Sequence, residues 1–414
     1  MLNYSIILLD NECCHPNFEY SGRNNSISNH IIRPLDCQLR WNRNAEERAK
    51  RGWIALYSCK NSIGKSWGLN PSIIHWLYNT VIRPILSDGS LVWWHSMRQK
   101  STSGRLDKVK RAASILITGA TRSTPQDALN AMLNLKPLSL SIKCQATRSA
   151  LRLHEQDLWR GCTYGHGCIL NESGINVNQR GKLSDYISPV LRFDDIDVVI
   201  PSRDDWNRSN TPLDGLAFYT DGSKMEEGTG AGVYCEMLSL EYTYRLDSNC
   251  SVFQAEIFAI WKAAKLIKSL DAEIFEPVTI FVDSQAALKA IKSCNIKSDV
   301  VLKCRSALET LTNGFRLCWV PGHRDYLGNE RADKLARRGS QSTDLAIADS
   351  IKPPICHFFQ KIETFSDERA SELWHNEPRC IVARSIWPSV SQKNELSVEP
   401  EYWTLLYQGT YHQI

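Results

Sequence analysis

Apolar residues recur along this chain in two rhythms, and the change from one to the other divides it. In the first third the spacing is helical: Asn70 to Ile82 and Leu106 to Ile117 each place their apolar residues on one face, and Leu138 to His154 follows as another helix. Between them, Thr124-Pro125-Gln126-Asp127 reads as a helix start with Thr124 as N-cap and proline at the first position. Trp67, Trp76, Trp93 and Trp94 supply large apolar anchors for a small core. Past residue 212 short apolar runs take over. Leu216 to Thr220, Gly228 to Tyr234 and Leu240 to Leu246 read as three consecutive strands, Val278 to Val282 as a fourth and Phe315 to Val320 as a fifth. Phe253 to Ser269, Ala286 to Ile291, Val300 to Leu311 and the segment up to Arg337 are helical in pattern, which gives the order β-β-β-α-β-α-α-β-α.

The remainder is less patterned. Residues 161–212 are rich in asparagine and aspartate and read as a linker; 341–414 form a tail of unknown role in which Asp367 to His375 is helical in pattern. The predicted organisation is therefore a mainly helical region over 1–160, a linker over 161–212, an α/β domain over 213–340 and the tail.

Charge adds a location. The chain has a formal net charge of +4, but residues 1–160 hold 22 Lys and Arg against 11 Asp and Glu, a net of +11, leaving 27 against 34, or −7, for the rest. The densest basic stretch, Arg98 to Arg111, includes Lys108, Lys110 and Arg111, which are candidates for tracking phosphates; the alternative is a solvated helix face. The longest apolar run near the start, Ile6 to Leu9, is too short for a secretion signal or a membrane span. With 14 irregularly spaced cysteines, these features predict an intracellular protein with reduced thiols and no membrane partner, nucleus and cytoplasm being undistinguished. Three Cys/His groups, Cys13-Cys14-His15, Cys162/His166/Cys168 and Cys356/His357/His375/Cys380, lack the paired spacing of a closed zinc site.

The candidate chemistry lies in four carboxylates. Asp221 follows the first strand in T-D-G-S, Glu256 sits in the helix Phe253 to Ser269, Asp283 follows the fourth strand in V-D-S-Q, and Asp333 lies in the string V-P-G-H-R-D-Y-L-G-N-E-R-A-D-K-L-A-R. A strand rises about 3.3 Å per residue and ends where the sheet opens into a crevice, so aspartates at the ends of two neighbouring strands would meet there. Hard oxygen ligands of this kind suit Mg²⁺, and two ions about 3.5–4 Å apart can share a carboxylate. Taken singly, each has an ordinary reading: a turn for Asp221, a solvated helix carboxylate for Glu256, an N-cap region for Asp283 and a surface ion pair with Lys334 or Arg337 for Asp333.

The ordered series, with the P-G-H…G-N-E-R-A-D string, resembles the type 1 ribonuclease H family, and its wording is similar to the domain of that family in Jockey-like non-LTR retrotransposon polyproteins. The resemblance implies an α/β fold with a ribonuclease H-like mixed five-stranded sheet and flanking helices. It implies an endonuclease that hydrolyses the RNA strand of an RNA–DNA hybrid with two Mg²⁺ ions, Mn²⁺ substituting. Asp221 would bridge both ions, Glu256 and Asp283 would favour one and Asp333 the other; His323 would assist proton transfer or product release from a mobile loop. Ser223 and Gln285 match positions that touch nucleic acid in relatives. One departure stands out: where cellular relatives carry asparagine-rich residues before the helix glutamate, this chain has Val252-Phe253-Gln254-Ala255.

The strings W-G-L-N-P-S-I-I-H-W-L-Y and V-K-R-A-A-S-I-L-I-T-G-A resemble the segment joining polymerase to nuclease in the same polyproteins, whereas the polymerase's Y-x-D-D type box is absent. The chain thus reads as the downstream piece of a retrotransposon polyprotein. The alternatives are a catalytically silent nucleic-acid-binding remnant and another nuclease or transposase of the same fold.

Overall fold

A computed structural model describes residues 42–61, 70–159, 161, 164–175, 181–202, 215–270, 277–311, 314–322, 326–348 and 351–386. They fall into two compact units, one of residues 42–154, 158–175 and 360–386, the other of 155–157 and 181–359.

The first unit is helical. Helix α1 (Asn42–Asn61) crosses the segment Arg83–Ser87 at Gly52, where a Cβ would stand 2.8 Å from Leu86 Cδ2. Helix α2 (Pro71–Leu77) is capped by Asn70, whose side chain accepts from Ile73 N at 2.8 Å, and runs on through a π turn over Tyr78–Ile82. Pro84 explains that widening, because it lacks the N–H an α-turn needs. Helix α3 (Lys100–Thr118) ends at Gly119, which takes φ +66°. Helix α4 (Gln126–Met132) starts one residue after Pro125, and Thr124, the expected cap, turns its hydroxyl to Thr121. Helix α5 (Leu138–Glu155) matches its expected span. Trp93 and Trp94 are buried as anticipated, but Trp76 is 61% exposed, and Trp67 lies outside the described residues.

Lys110 departs from its expected role. It lies in α3 with Leu106, Val109, Ala113 and Ile117 on the buried face, donates to the Lys136 carbonyl, and has its ammonium lowered to about 7 by burial. Arg111 is half-buried and spends its guanidinium on the carbonyls of Arg122 and Thr124, at 2.7 and 2.8 Å. Of the three, Lys108 alone is exposed. The basic stretch is therefore partly an internal brace, because a helix with three to four apolar residues per two turns buries whatever shares their side.

The second unit is built on a sheet of order β2-β8-β6-β3-β4-β5. Strands β3 (Leu216–Lys224), β4 (Thr229–Cys235) and β5 (Leu240–Leu246) form the antiparallel meander; β6 (Val278–Val282) and β8 (Phe315–Trp319) join β3 in parallel. This is the expected mixed sheet with one strand more. The added edge, β2 (Val198–Val199), pairs in parallel with β8, and β1 (Tyr186–Leu191) pairs with β7 (Asn295–Ser298) in a separate ladder. Residues 181–202, anticipated as linker, thus supply strands and place Ile196 in the core.

Helices α6 (Val252–Ser269), α7 (Gln285–Lys292) and α8 (Asp299–Leu308) accompany the sheet, and α9 (Leu327–Gln341) packs on β3, β4 and β5. Alternation along β3 places Tyr219, Asp221 and Ser223 on the α9 side, and Phe218, Thr220 and Gly222 on the α6 side. Gly230 and Gly232 admit α9 closely: a Cβ there would come within 2.2 Å of Ala336 O and 2.3 Å of Ala332 O respectively. Phe218, Phe258, Ile260, Ile280 and Leu317 fill the core.

Ile347 bridges to Arg245 on β5, and Lys352 O accepts from Gln254 Nε2 at 3.0 Å. Helix α10 (Ile355–Asn376), longer than the expected Asp367 to His375, buries Trp374 with Ala128, Ala131 and Cys380 in the first unit, where Glu363 accepts from Lys136 and Arg148. Among the described residues no helix is long and apolar enough to cross a membrane.

Candidate active site

The parallel pairing of β3 with β6 ends at Thr220 opposite Val282, so Asp221 and Asp283 are the next residues on adjacent strands. β3 itself continues to Lys224 beside β4, with Asp221 opposite Gly232. Asp221 is therefore the point at which one neighbour runs out while the other goes on, rather than the strand's last residue. Asp283 is steadied by the indole of Trp319, which donates to its carbonyl at 3.0 Å, and the Pro321-Gly322 turn passes close enough that a Cβ on Gly322 would lie 3.2 Å from Asp283 Oδ2.

Glu256 arrives from the opposite helical layer. A capping box of Ser251 and Gln254 fixes the start of α6. The helix meets β3 at Gly222, where a Cβ would be 2.4 Å from Glu256 N. The glycine of T-D-G-S is thus a contact point between layers, and that contact carries Glu256 to Asp221. Gln254 is buried, accepting from Ser251 N in the cap and donating to Lys352 O.

Carboxylate oxygens of Asp221, Glu256 and Asp283 lie within 4.8 Å of one another. Asp333, on α9, lines the same cleft of about 440 Å³, as do Gly222, Ser223 and Met225. Four further residues line it: Asn329 and Glu330 were not singled out from the sequence, and Lys334 and Arg337 entered only as ion-pair partners of Asp333, although Asn329, Glu330 and Arg337 stand four and three residues before Asp333 and four after it, on one helical face. Gln285 is the half-buried first residue of α7 and is not among the cleft-lining residues; His323 lies outside the described residues.

The electrostatics are those of a cluster short of positive charge. Burial first, then the negative charges of Asp283 and Asp333, push the Asp221 carboxyl up to about 8. Glu256 is raised well above the ordinary range by burial and by Asp221 and Asp283. Glu256 Oε2 and Asn329 Oδ1 are buried without hydrogen-bond partners. Unmatched hard oxygens crowded this closely fit divalent cations such as Mg²⁺ or Mn²⁺. Among the described residues this trio is the sole group of three potential ligands that converge, so the Cys/His groups within them make no comparable site.

A raised folded-state carboxyl contributes stability below its unfolded value, near pH 4, and loses it as pH rises through the folded value. For Asp221 that window runs from about 4 to about 8. Without divalent cations, the second unit's melting temperature is expected to fall across this window. Mg²⁺ at 100 times its pH 8 dissociation constant should restore about 2.7 kcal/mol at pH 8, roughly 5–10 °C, and the same concentration should restore less at pH 5, where protons compete for the ligands. Calorimetry with and without chelator at pH 5 and pH 8 checks this; equal cation shifts at both would contradict it.

With the geometry described, comparison with known proteins is informative. Residues 214–341 match the RNase H family. Human ribonuclease H1 is 30% identical over 151 residues, covering 32% of this chain and 52% of the human protein; the rat and mouse ribonuclease H1 proteins are each 28% identical with the same coverage. The chain spans about half the length of the curated relatives it matches.

Proposed function

We propose that the cleft of the RNase H domain at residues 214–341 hydrolyses the RNA strand of RNA–DNA hybrids, leaving 3′-hydroxyl and 5′-phosphate ends. The carrying observation is the convergence of Asp221, Glu256 and Asp283 within 4.8 Å beside Asp333, inside a segment that matches the RNase H family. Asp221, Glu256 and Asp283 would hold one Mg²⁺, with Asp221 shared with a second on the Asp333 side; Mn²⁺ would substitute. Bound cations of this kind polarise a phosphoryl oxygen and lower the pKa of attacking water.

The chain's own groups do the rest. Asp221 and Glu256, strongly proton-retaining when cation-free, give up those protons as ligands. Ser223, at the cleft, would touch the sugar-phosphate backbone, with Gln285 at the start of α7 as a further contact. His323, which lies outside the described residues, would assist proton transfer or product release. The exposed Lys108 would add long-range attraction for phosphates. The two strings shared with retrotransposon polyproteins support a retrotransposon origin, and the buried free thiols of Cys235, Cys250, Cys304 and Cys318 support a reducing, intracellular setting.

The test uses the full chain with labelled hybrid, single-stranded RNA and duplex RNA. Hybrid alone is expected to be cut, in Mg²⁺ or Mn²⁺ but not with chelator. Ca²⁺ should support binding with little cleavage, because its looser coordination aligns the attacking water poorly. Binding without cleavage in any cation would instead identify a silent remnant, and strand transfer on duplex DNA a transposase.

A further inference from the structure

The fourth carboxylate is held differently from the other three. Asp333 lines the cleft yet stands outside the trio whose oxygens lie within 4.8 Å of one another. It already has a cation: Arg337, one turn along α9 and lining the same cleft, donates from Nε to Asp333 Oδ1 at 2.8 Å. Burial separates the two groups further. Asp221 and Glu256 are each 6% exposed, whereas the Asp333 and Arg337 side chains are 28% and 49% exposed. The pair can therefore open into solvent, while Asp221 and Glu256 cannot relieve their charge by any movement of that kind.

We infer that Arg337 is a displaceable counter-ion: a positioning residue that holds Asp333 through Oδ1 when no divalent cation is bound and competes with a cation for that carboxylate. The inference rests on the reading of this cleft as a cation site. A guanidinium and a divalent ion compete for the charge and orientation of one carboxylate, so Arg337's hold on Asp333 weakens cation binding on the Asp333 side. An ion pair this exposed is weak, so Arg337 tunes occupancy and does not block it. Once freed by the cation, its guanidinium remains in the cleft as a donor for phosphate.

Net charge alone offers a rival account, because removing any cationic side chain from the cleft favours a divalent ion. Lys334 provides the comparison: it lines the same cleft, carries the same charge and neighbours Asp333 without Arg337's one-turn spacing. The experiment is calorimetric titration of MnCl₂ into the cation-free full chain, in the absence of nucleic acid, for the parent, Arg337→Gln and Lys334→Gln. Arg337→Gln is expected to bind Mn²⁺ about threefold tighter than the parent, with Lys334→Gln clearly less improved. Equal gains in the two variants, or no gain in Arg337→Gln, would overturn the counter-ion role while leaving the cation site standing. No Mn²⁺ uptake by the parent would overturn the cation reading of the cleft and this inference with it.

Discussion

Asp283→Asn is expected to reduce hybrid cleavage by about a thousandfold or more, equivalent to about 4 kcal/mol of barrier, and at the same time to make the cation-free protein more stable. The two halves share one cause. Burial is the main cause that raises Asp221 and Glu256 above their ordinary ionisation range, and the negative charge of Asp283 adds to both. Replacing its carboxylate with an amide of equal size removes a ligand charge from the cleft and also removes that repulsion. At effective dielectrics near 20–80, the relief is worth about 1–4 kcal/mol for charges about 4 Å apart, enough to raise the melting temperature by several degrees. A variant that is inactive and more stable cannot be explained as misfolded. Single-turnover cleavage with saturating Mg²⁺ and thermal unfolding in chelator are the measurements. Near-parental turnover would remove Asp283 from the site, and a lowered melting temperature would refute the repulsive cluster.

Gly222→Ala tests the architecture and not the charge. Its methyl would fall 2.4 Å from Glu256 N and 2.8 Å from Ala255 C, both backbone atoms of a capped helix with no side chain free to step aside. The helix must lift or the strand must bend, at a cost of about 3 kcal/mol, and in either case Glu256 moves away from Asp221. Displacement by about 1 Å is enough for a hundredfold loss of rate. Gly314→Ala is the control, since its Cβ would meet nothing within 4 Å. Parental stability and rate for Gly222→Ala would show that α6 can retreat without carrying the glutamate away.

The strands and helices that were legible in the sequence are those whose pattern is their own. β3, β4, β5, β6 and β8 are apolar enough to be read locally, and α6 declares itself through Phe253, Ile257, Ile260 and Trp261. The four carboxylates could be located because each sits next to such an element. What escaped was long-range: β2 is the dipeptide Val198–Val199 and β7 is Asn-Ile-Lys-Ser, neither of which has a periodicity, and both become strands only through partners far away in the chain. Lys110 was misplaced for a different reason. Its position in the i, i+4 series after Leu106 marked it as inward-facing, but its charge suggested the surface. Asn329 and Arg337 carried the same helical signal relative to Asp333, which the sequence also contained. The role of Gly222 had no signal beyond the turn chemistry of Asp-Gly, because a contact between layers leaves no trace in a local pattern.

The close seat of α9 on Gly230 and Gly232 also bears on the order in which the protein is made. A ribosome releases the meander and α6 first, so Asp221 and Glu256 meet early, but Asp333 and the helix that carries it emerge last of the four. The nascent sheet therefore gains its apolar core before it receives the full burden of like charge. The final docking step brings a carboxylate together with Arg337 as its escort. Pairings as distant as β2 with β8 slow such assembly; the fourth carboxylate arrives only at its end, on a helix whose own basic residues accompany it to the acidic cleft.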